Sequence, residues 1–229
     1  MLTWNYTMLL LIPAMILALY AQGKVRSTYK KYSSEFTSAR ISGAEAASQI
    51  LGASGAGFVK VEKVAGHLTD HYDPRQKVLR LSEGVYESPS IAALGIAAHE
   101  AGHALQHQAG YAPFHLRSVI YPAARFGSTL AFPLFFIGFF FSRKGPSVLM
   151  DIGILLFAVA VLFSVITLPV EFDASRRALA LLRDGGYLRG KELDGAKKVL
   201  SAAALTYIAA TTMAVLQLLR MVMMRDSRD

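Results

Sequence analysis

The residues best suited to chemistry form the run His99–His103, which reads HEAGH and lies inside an apolar stretch. Histidines four residues apart project from one face of a helix, so both imidazoles can reach the same zinc ion. Glu100, directly after the first histidine, is placed to take a proton from an attacking water rather than to bind the metal. The spacing predicts metal-assisted hydrolysis, most often of a peptide bond. The simpler alternative is a pair of core histidines that only form hydrogen bonds.

The residues before the motif predict that it lies on a buried helix. Residues 91–98 are all small or apolar, as expected for a helix that is enclosed by the rest of the protein. Gly102, within the motif, lacks a side chain at a point where a substrate or a neighbouring helix could approach closely.

A zinc site of this kind needs a third protein ligand, which must be His, Asp or Glu because the chain contains no cysteine. His107 lies two steps along the same helical row as His99, but each four-residue step climbs about 6 Å and turns by about 40°, so the two cannot share an ion comfortably. The glutamine at 106 and the alanine at 109 exclude the longer metzincin signature. The remaining histidines are expected to be surface or hydrogen-bonding residues: His67, His71 and His115.

Four apolar stretches approach the roughly 20 residues that cross a 30 Å hydrocarbon layer. The chain has 229 residues, of which 53% are hydrophobic and 17% charged. No Lys or Arg precedes the first stretch, which favours an uncleaved anchor over a signal peptide. The fourth is rich in Ala and Thr, which suits a helix packed against protein as well as one facing lipid. The stretches cover residues 8–20, 126–141, 148–170 and 199–219.

The formal charge of +8 is spread along the segments beside these stretches, without a basic motif or an aromatic platform, so we expect no nucleic-acid partner. Residues 22–118 carry eleven Lys and Arg and residues 171–198 carry seven. The positive-inside rule therefore predicts a multi-pass protein of the cell membrane with both regions in the cytoplasm. The absence of cysteine agrees with a reducing compartment.

This topology brings Glu171, just beyond the third stretch, to the membrane face that also holds the HEAGH helix. Glu171 is therefore the third-ligand candidate, although a carboxylate there could instead be a solvated helix start beside the helix dipole. The predicted fold is a mainly α-helical integral membrane protein, with three or four transmembrane helices and a small α+β zinc-protease domain. Its predicted segments are listed by residue: 1–21, transmembrane helix 1; 22–118, cytoplasmic metallopeptidase region; 119–170, transmembrane hairpin; 171–198, cytoplasmic segment with the third ligand; 199–229, fourth transmembrane helix and C-terminal tail.

Local patterns add detail to the α+β region. Ser42 followed by Glu45 predicts a capping box that opens a helix through Leu51. Residues 58–64 and 77–81 alternate or run apolar in the manner of strands, which predicts a small antiparallel sheet beside the HEAGH helix. The edge of that sheet could hold an extended peptide, or the sheet could only support the helix.

Two segments carry a family resemblance: HEAGHALQHQAGY, from residue 99, and LPVEFDASRRAL, from residue 168. Together they resemble the YugP-type membrane zinc metallopeptidases, which are similar to the more distant HtpX-type and CAAX prenyl proteases. The resemblance covers most of the chain, including residues 67–74. It implies that the zinc ligands are His99, His103 and Glu171. It also implies that Glu100 is the catalytic base and acid.

The chain departs from the distant relatives at one position. They place an aspartate four residues after the ligand glutamate, where this chain has Ser175. Asp173 is the candidate to orient a ligand histidine instead. Arg176 and Tyr207 are candidate donors to the tetrahedral intermediate.

The resulting hypothesis is a membrane-embedded, Zn²⁺-dependent endopeptidase that acts on a protein or peptide substrate at the membrane. Two alternatives belong to other classes. One is a zinc-binding membrane scaffold or regulatory protein without turnover, and the other is a small-solute transporter. The transporter fits the hydrophobicity but not the sparse polar content of the apolar stretches. The sequence does not indicate an oligomeric state.

Overall fold

The structure, a computed structural model, describes residues 7–142, 145 and 147–227. Over these residues it is mainly helical, with one small sheet, as the sequence predicts. The helices are α1 (Ile12–Ser33), α2 (Gly43–Ala53), α3 (Glu83–Tyr86), α4 (Ile91–Gln108), α5 (Ala112–Phe141), α6 (Val148–Asp184) and α7 (Lys191–Asp226). The strands are β1 (Lys60–Val64), β2 (His71–Asp73) and β3 (Val78–Ser82).

In the described part of the chain, four helical runs are long and apolar enough to cross a membrane: Thr7–Ser33, which contains α1, and α5, α6 and α7. The 37 residues of α6 span about 55 Å at 1.5 Å per residue, well beyond the roughly 30 Å of a hydrocarbon layer. The same holds for α7, with 36 residues. The chain is thus a helical membrane protein whose long helices continue past the apolar layer.

The chain divides into two compact units. The first, here called the membrane unit, comprises Met1–Ala21, His115–Leu168 and Thr206–Asp229. The second, the α+β unit, comprises Gln22–Phe114 and Pro169–Leu205.

Within the membrane unit, α5, α6 and α7 pack through large apolar side chains. Phe135 and Met150 are fully buried and Met221 is 1% exposed. Close approach of α5 and α6 requires glycine, since a Cβ at Gly153 would lie 2.7 Å from the carbonyl oxygen of Ala131. Arg225 donates from Nε to Asp151 at 2.8 Å, which joins α7 to α6.

Within the α+β unit, α4 forms the centre of the core. Most of its residues are buried, and α2, α3 and the sheet pack around it. Ser90 caps its first turn by accepting a hydrogen bond from the Ala93 backbone N–H at 3.2 Å. The predicted capping box of α2 is confirmed, because Ser42 and Glu45 each accept a backbone hydrogen bond from the other.

The prediction of an antiparallel sheet was wrong for its main pair. The strand order is β1-β3-β2, and β1 pairs with β3 in parallel, with Lys60 opposite Val78. Only β2 pairs antiparallel with β3. The physical reason is that β2, three residues long and rich in polar groups, reverses the chain once more between the two recognisable strands.

Candidate metal centre

Three potential ligand side chains meet between α4 and α6 in the α+β unit. His99 and His103 lie one helical turn apart on α4, and their ring centroids are 4.8 Å apart. Glu171, on α6, places Oε2 3.3 Å from Nε2 of His99 and 3.6 Å from Nε2 of His103. The ligand atoms all lie within 4.8 Å of one another. The spacing of two histidines and the topology of the spans therefore bring together the three residues that the sequence singled out.

The close approach of α4 and α6 depends on Gly102. A Cβ at this position would lie 2.8 Å from the backbone oxygen of Ala174 on α6. Real Cβ atoms essentially never come this near to a backbone atom, so any side chain would push the helices apart. The sequence left open whether Gly102 makes room for a substrate or for a neighbouring helix. The structure supports the neighbouring helix. This contact sets the distance between the histidines and Glu171.

His103 is held by a buried glutamine. Its Nδ1 lies 3.0 Å from Oε1 of Gln106, a residue with no exposed surface. The amide nitrogen of Gln106 donates to the Val170 carbonyl at 2.8 Å and to Asp173 at 3.0 Å. Because these two partners only accept, the amide orientation is fixed and its oxygen must face His103. Nδ1 of His103 therefore donates, and Nε2 presents its lone pair to the cluster.

His99 has a different partner. Its Nδ1 lies 3.2 Å from the hydroxyl of Ser175, which is partly exposed on α6. A serine hydroxyl can donate or accept, so this contact suits either tautomer of the imidazole. Ser175 thus occupies the position beside His99 where sequence reasoning had left the orienting partner open.

Glu100 lies on α4 between the two histidines in sequence and is 8% exposed. Burial raises the pKa of its carboxyl to about 7, an effect that His99 opposes and that the charges of Glu171 and Asp70 strengthen. A carboxyl with a pKa near neutrality can both accept and return a proton, as hydrolysis of an amide requires.

Glu171 and Asp173 lie on the part of α6 that belongs to the α+β unit, and both carboxylates remain ionised. Burial works to raise the pKa of Glu171, but the neighbouring imidazoles of His103 and His99 hold it below its ordinary value. For Asp173, burial is likewise outweighed, by hydrogen bonds from Arg177, Gln106 and Arg176, and its pKa is lowered. The cluster therefore carries a fixed negative charge between two imidazoles, which favours a cation.

The remaining predicted site residues lie outside the cluster. Asp173 reaches His103 only through Gln106, and it also binds Arg177 at 2.6 Å. Arg176 pairs with the same carboxylate, and its side chain is 80% exposed. Tyr207 belongs to the membrane unit. His107 is not part of the cluster, and its Nδ1 lies 3.0 Å from the hydroxyl of Tyr72.

Two contributors to the site were missed in the sequence. Gln106 was used only to exclude a longer motif, although it lies three residues after His103, on the same helical face. A polar residue with no exposed surface in an otherwise apolar helix is a usable signal, because a buried amide requires partners. Ser175 was noted only as a departure from a pattern.

The donor set fits a zinc ion. Two imidazole nitrogens and one carboxylate oxygen are the ligands of many catalytic zinc sites, which keep a further position open for water or substrate. The lone pair of His103 Nε2 is available because Nδ1 is committed to Gln106. The hydrogen bonds on the outer nitrogens match the support that metal-binding histidines generally have.

The fold and the site together define a class: a helical membrane protein with a His-His-Glu cluster beside a buried glutamate on one helix. A family model described as "Putative neutral zinc metallopeptidase" matches residues 7–226, so the chain belongs to this family. The chain is 49% identical over 214 residues to "Putative membrane protease YugP" of Bacillus subtilis (strain 168), covering 93% of this chain and 94% of that relative. No solved structure matches the chain. The resemblance drawn from the two sequence segments is confirmed.

Proposed function

We propose that the protein is a zinc-dependent endopeptidase that hydrolyses peptide bonds of membrane or membrane-proximal proteins. The observation that carries this proposal is the convergence of His99, His103 and Glu171, with ligand atoms within 4.8 Å, beside the buried carboxyl of Glu100. Membership in a zinc metallopeptidase family supports the reaction class.

In this proposal, His99, His103 and Glu171 would hold the zinc ion. When bound, zinc supplies Lewis-acid polarisation of the scissile carbonyl and lowers the pKa of water. Glu100 takes one proton from the attacking water, whose oxygen forms a bond to the carbonyl carbon. The C–N bond then breaks, and Glu100 passes its proton to the leaving amine. The products are a carboxylic acid and an amine.

A donor to the developing oxyanion is also required. Arg176 is an unfavourable choice, because its guanidinium already pairs with Asp173. Tyr207, the other candidate donor from the sequence, stays a prediction from the sequence alone.

We further propose that the protein lies in the cell membrane with the α+β unit in the cytoplasm. The support is the excess of Lys and Arg in residues 22–118 and 171–198 over the other polar segments.

The experiment is a comparison of the wild-type protein with Glu100→Gln. The amide keeps the shape of the side chain but cannot accept the proton, so zinc should stay bound at wild-type stoichiometry while cleavage is lost. Glu87→Gln, at an exposed glutamate in the α+β unit, is the matched control and should retain activity. Membrane polypeptides that accumulate in cells carrying Glu100→Gln, relative to the control, identify the substrates.

Two outcomes would contradict the proposal. Undiminished proteolysis by purified Glu100→Gln would remove the assigned base. Stoichiometric zinc with no cleavage by the wild-type protein, and no polypeptide that accumulates in the mutant cells, would instead indicate the zinc-binding scaffold.

A further inference from the structure

One end of the sheet combines an exposed aromatic ring with cationic side chains. Phe58 precedes β1 and is 57% exposed, and Nζ of Lys77 lies 5.4 Å from the centre of its ring. Because β1 and β3 are parallel and Lys60 pairs with Val78, both strands begin at this end. The exposed residues here, which we call the sheet-end surface, are Phe58, Lys60, Arg75 and Lys77.

The opposite end of the same sheet has a different charge balance. Lys63, near the end of β1, contacts Glu83 at 3.2 Å and Glu87 at 2.8 Å, so its charge is neutralised. At the sheet-end surface, the nearby carboxylates of Glu62 and Asp73 pair with Arg80 instead. Lys60, Arg75 and Lys77 therefore leave a net positive charge at one end only.

A hydrogen bond links the loop beside the sheet-end surface to the end of α4, which a short segment joins to α5, one of the helices long and apolar enough to cross a membrane. Nε2 of Gln108 donates to the carbonyl of Gly55 at 3.1 Å, and Gly55 precedes Phe58 by three residues. Gln108 is the last residue of α4, and α5 begins only four residues later, at Ala112. The loop that carries Phe58 is therefore fastened to the point from which the chain runs into the membrane unit.

We propose that the sheet-end surface rests in the lipid headgroup layer, with the Phe58 ring inserted and the three cations facing anionic lipids. Phe side chains of interfacial segments bury at the boundary between lipid headgroups and acyl chains, and clustered Lys and Arg bind anionic leaflets. This contact would fix the distance between the C-terminal end of α4 and the lipid headgroup layer. His103 lies only five residues before that end. It does not depend on the proposed peptidase activity.

Phe36 provides a matched reference position. It is 55% exposed, and the guanidinium of Arg40 lies 5.3 Å from the centre of its ring, so its local setting resembles that of Phe58. However, Phe36 follows the part of α1 after Ala21 that belongs to the α+β unit, and it forms a bridge with Ser90, at the N-terminal end of α4. The 18 residues of α4 separate the two ends by about 27 Å.

The test uses the natural absence of cysteine, so that Phe58→Cys and Phe36→Cys each give one labelling site in the full chain. Both are labelled with an environment-sensitive fluorophore and reconstituted into phosphatidylcholine vesicles, with and without phosphatidylglycerol, that contain a lipid-borne quencher. We expect quenching at position 58 to exceed that at position 36 several-fold, and to increase with phosphatidylglycerol. If Phe58→Cys fails to fold, Gly57→Cys replaces it, because Gly57 is exposed and a Cβ there meets only ordinary contacts.

Charge reversal tests the electrostatic part. Lys60→Glu together with Lys77→Glu should lower the quenching at position 58 and abolish its dependence on phosphatidylglycerol, with position 36 unaffected. Equal quenching at positions 36 and 58 in every vesicle would overturn the proposal. If quenching at position 58 changes neither with phosphatidylglycerol nor with the two Lys→Glu substitutions, the cations do not contribute to the contact.

Discussion

The two histidines of the cluster differ in what holds their outer nitrogens. His103 donates to a fully buried glutamine whose own amide is fixed by the Val170 carbonyl and Asp173. His99 meets the partly exposed hydroxyl of Ser175, which accepts or donates equally well. Both imidazoles face the same carboxylate of Glu171. The orientation of His103 is therefore fixed by its partner, whereas that of His99 is less constrained.

The difference has a chemical consequence. Gln106 permits a single tautomer of His103, the one with a lone pair on Nε2, whether or not a cation is present. Ser175 lets His99 donate from Nε2 to Glu171 without metal, and donate from Nδ1 to the serine with metal. An aspartate at position 175 would hold only the second arrangement. We infer that the His103 side provides a prearranged ligand, and that the His99 side adapts when the metal binds.

The largest loss of zinc affinity is expected at Glu171, which faces both histidines. Glu171→Gln keeps the size of the side chain but removes the charge that faces both imidazoles. Even partners outside the ligand set change metal affinity by roughly 10–100-fold, so zinc affinity should fall by more than about 100-fold. Competition with a chelator in titrations of the purified protein measures this. Wild-type affinity in Glu171→Gln would show that the carboxylate is not a ligand.

On the His103 side, Gln106→Leu should lower zinc affinity by about 10–100-fold, because Nδ1 loses its acceptor. The Val170 carbonyl also loses its donor, which should lower the free energy of unfolding by about 1–3 kcal/mol. Gln49→Leu, the same change at an exposed position on α2, is the control and should do neither. Equal losses in the two variants would mean that Gln106 acts only through general stability.

On the His99 side, Ser175→Ala should lower zinc affinity by about tenfold or less, since the hydroxyl is partly exposed and water can replace it. Ser175→Asp should raise the affinity, because a hydrogen bond to a charged acceptor is about twice as strong as one to a neutral group. Ser201→Ala, on the exposed surface of α7, controls for loss of a hydroxyl. Chelator competition again gives the affinities. An unchanged or weakened affinity in Ser175→Asp would contradict the adaptable role of the serine.

The smallest effect is expected for Arg176→Gln. This side chain is 80% exposed and shares Asp173 with the less exposed Arg177, so the support of Gln106 should persist. We expect zinc affinity and kcat to change by less than about threefold. Steady-state kinetics and chelator competition check both quantities. A large drop in kcat with zinc still bound would return Arg176 to the role of oxyanion donor.

The sequence predicted the parts of the site that follow from regular geometry. Helical periodicity placed His99 and His103 on one face, and the order of apolar stretches placed Glu171 on the same side as that helix. Gly102 was recognised as a point of close approach, and Ser42 with Glu45 as a helix start. These predictions depend on local periodicity or on the number of membrane crossings, and both can be read without tertiary contacts.

Other features depend on contacts between distant segments and were not predicted. Ser175 lies 76 residues from the histidine that it contacts, and no local pattern indicates that pairing. The direction of β1 relative to β3 depends on the short strand β2, whose pattern is too brief to recognise. Gln106 is intermediate. Its burial could be predicted from its position on the apolar helix α4, but its partners on α6 could not.

The most direct test of the account is X-ray absorption at the zinc edge of the full-length protein in lipid, with Glu171→Gln measured in parallel. We predict one zinc per chain, two imidazole nitrogens at about 2.0–2.1 Å and a carboxylate oxygen at about 2.0–2.2 Å that is missing in the variant. A spectrum without imidazole scattering, or one that is identical in Glu171→Gln, would contradict it.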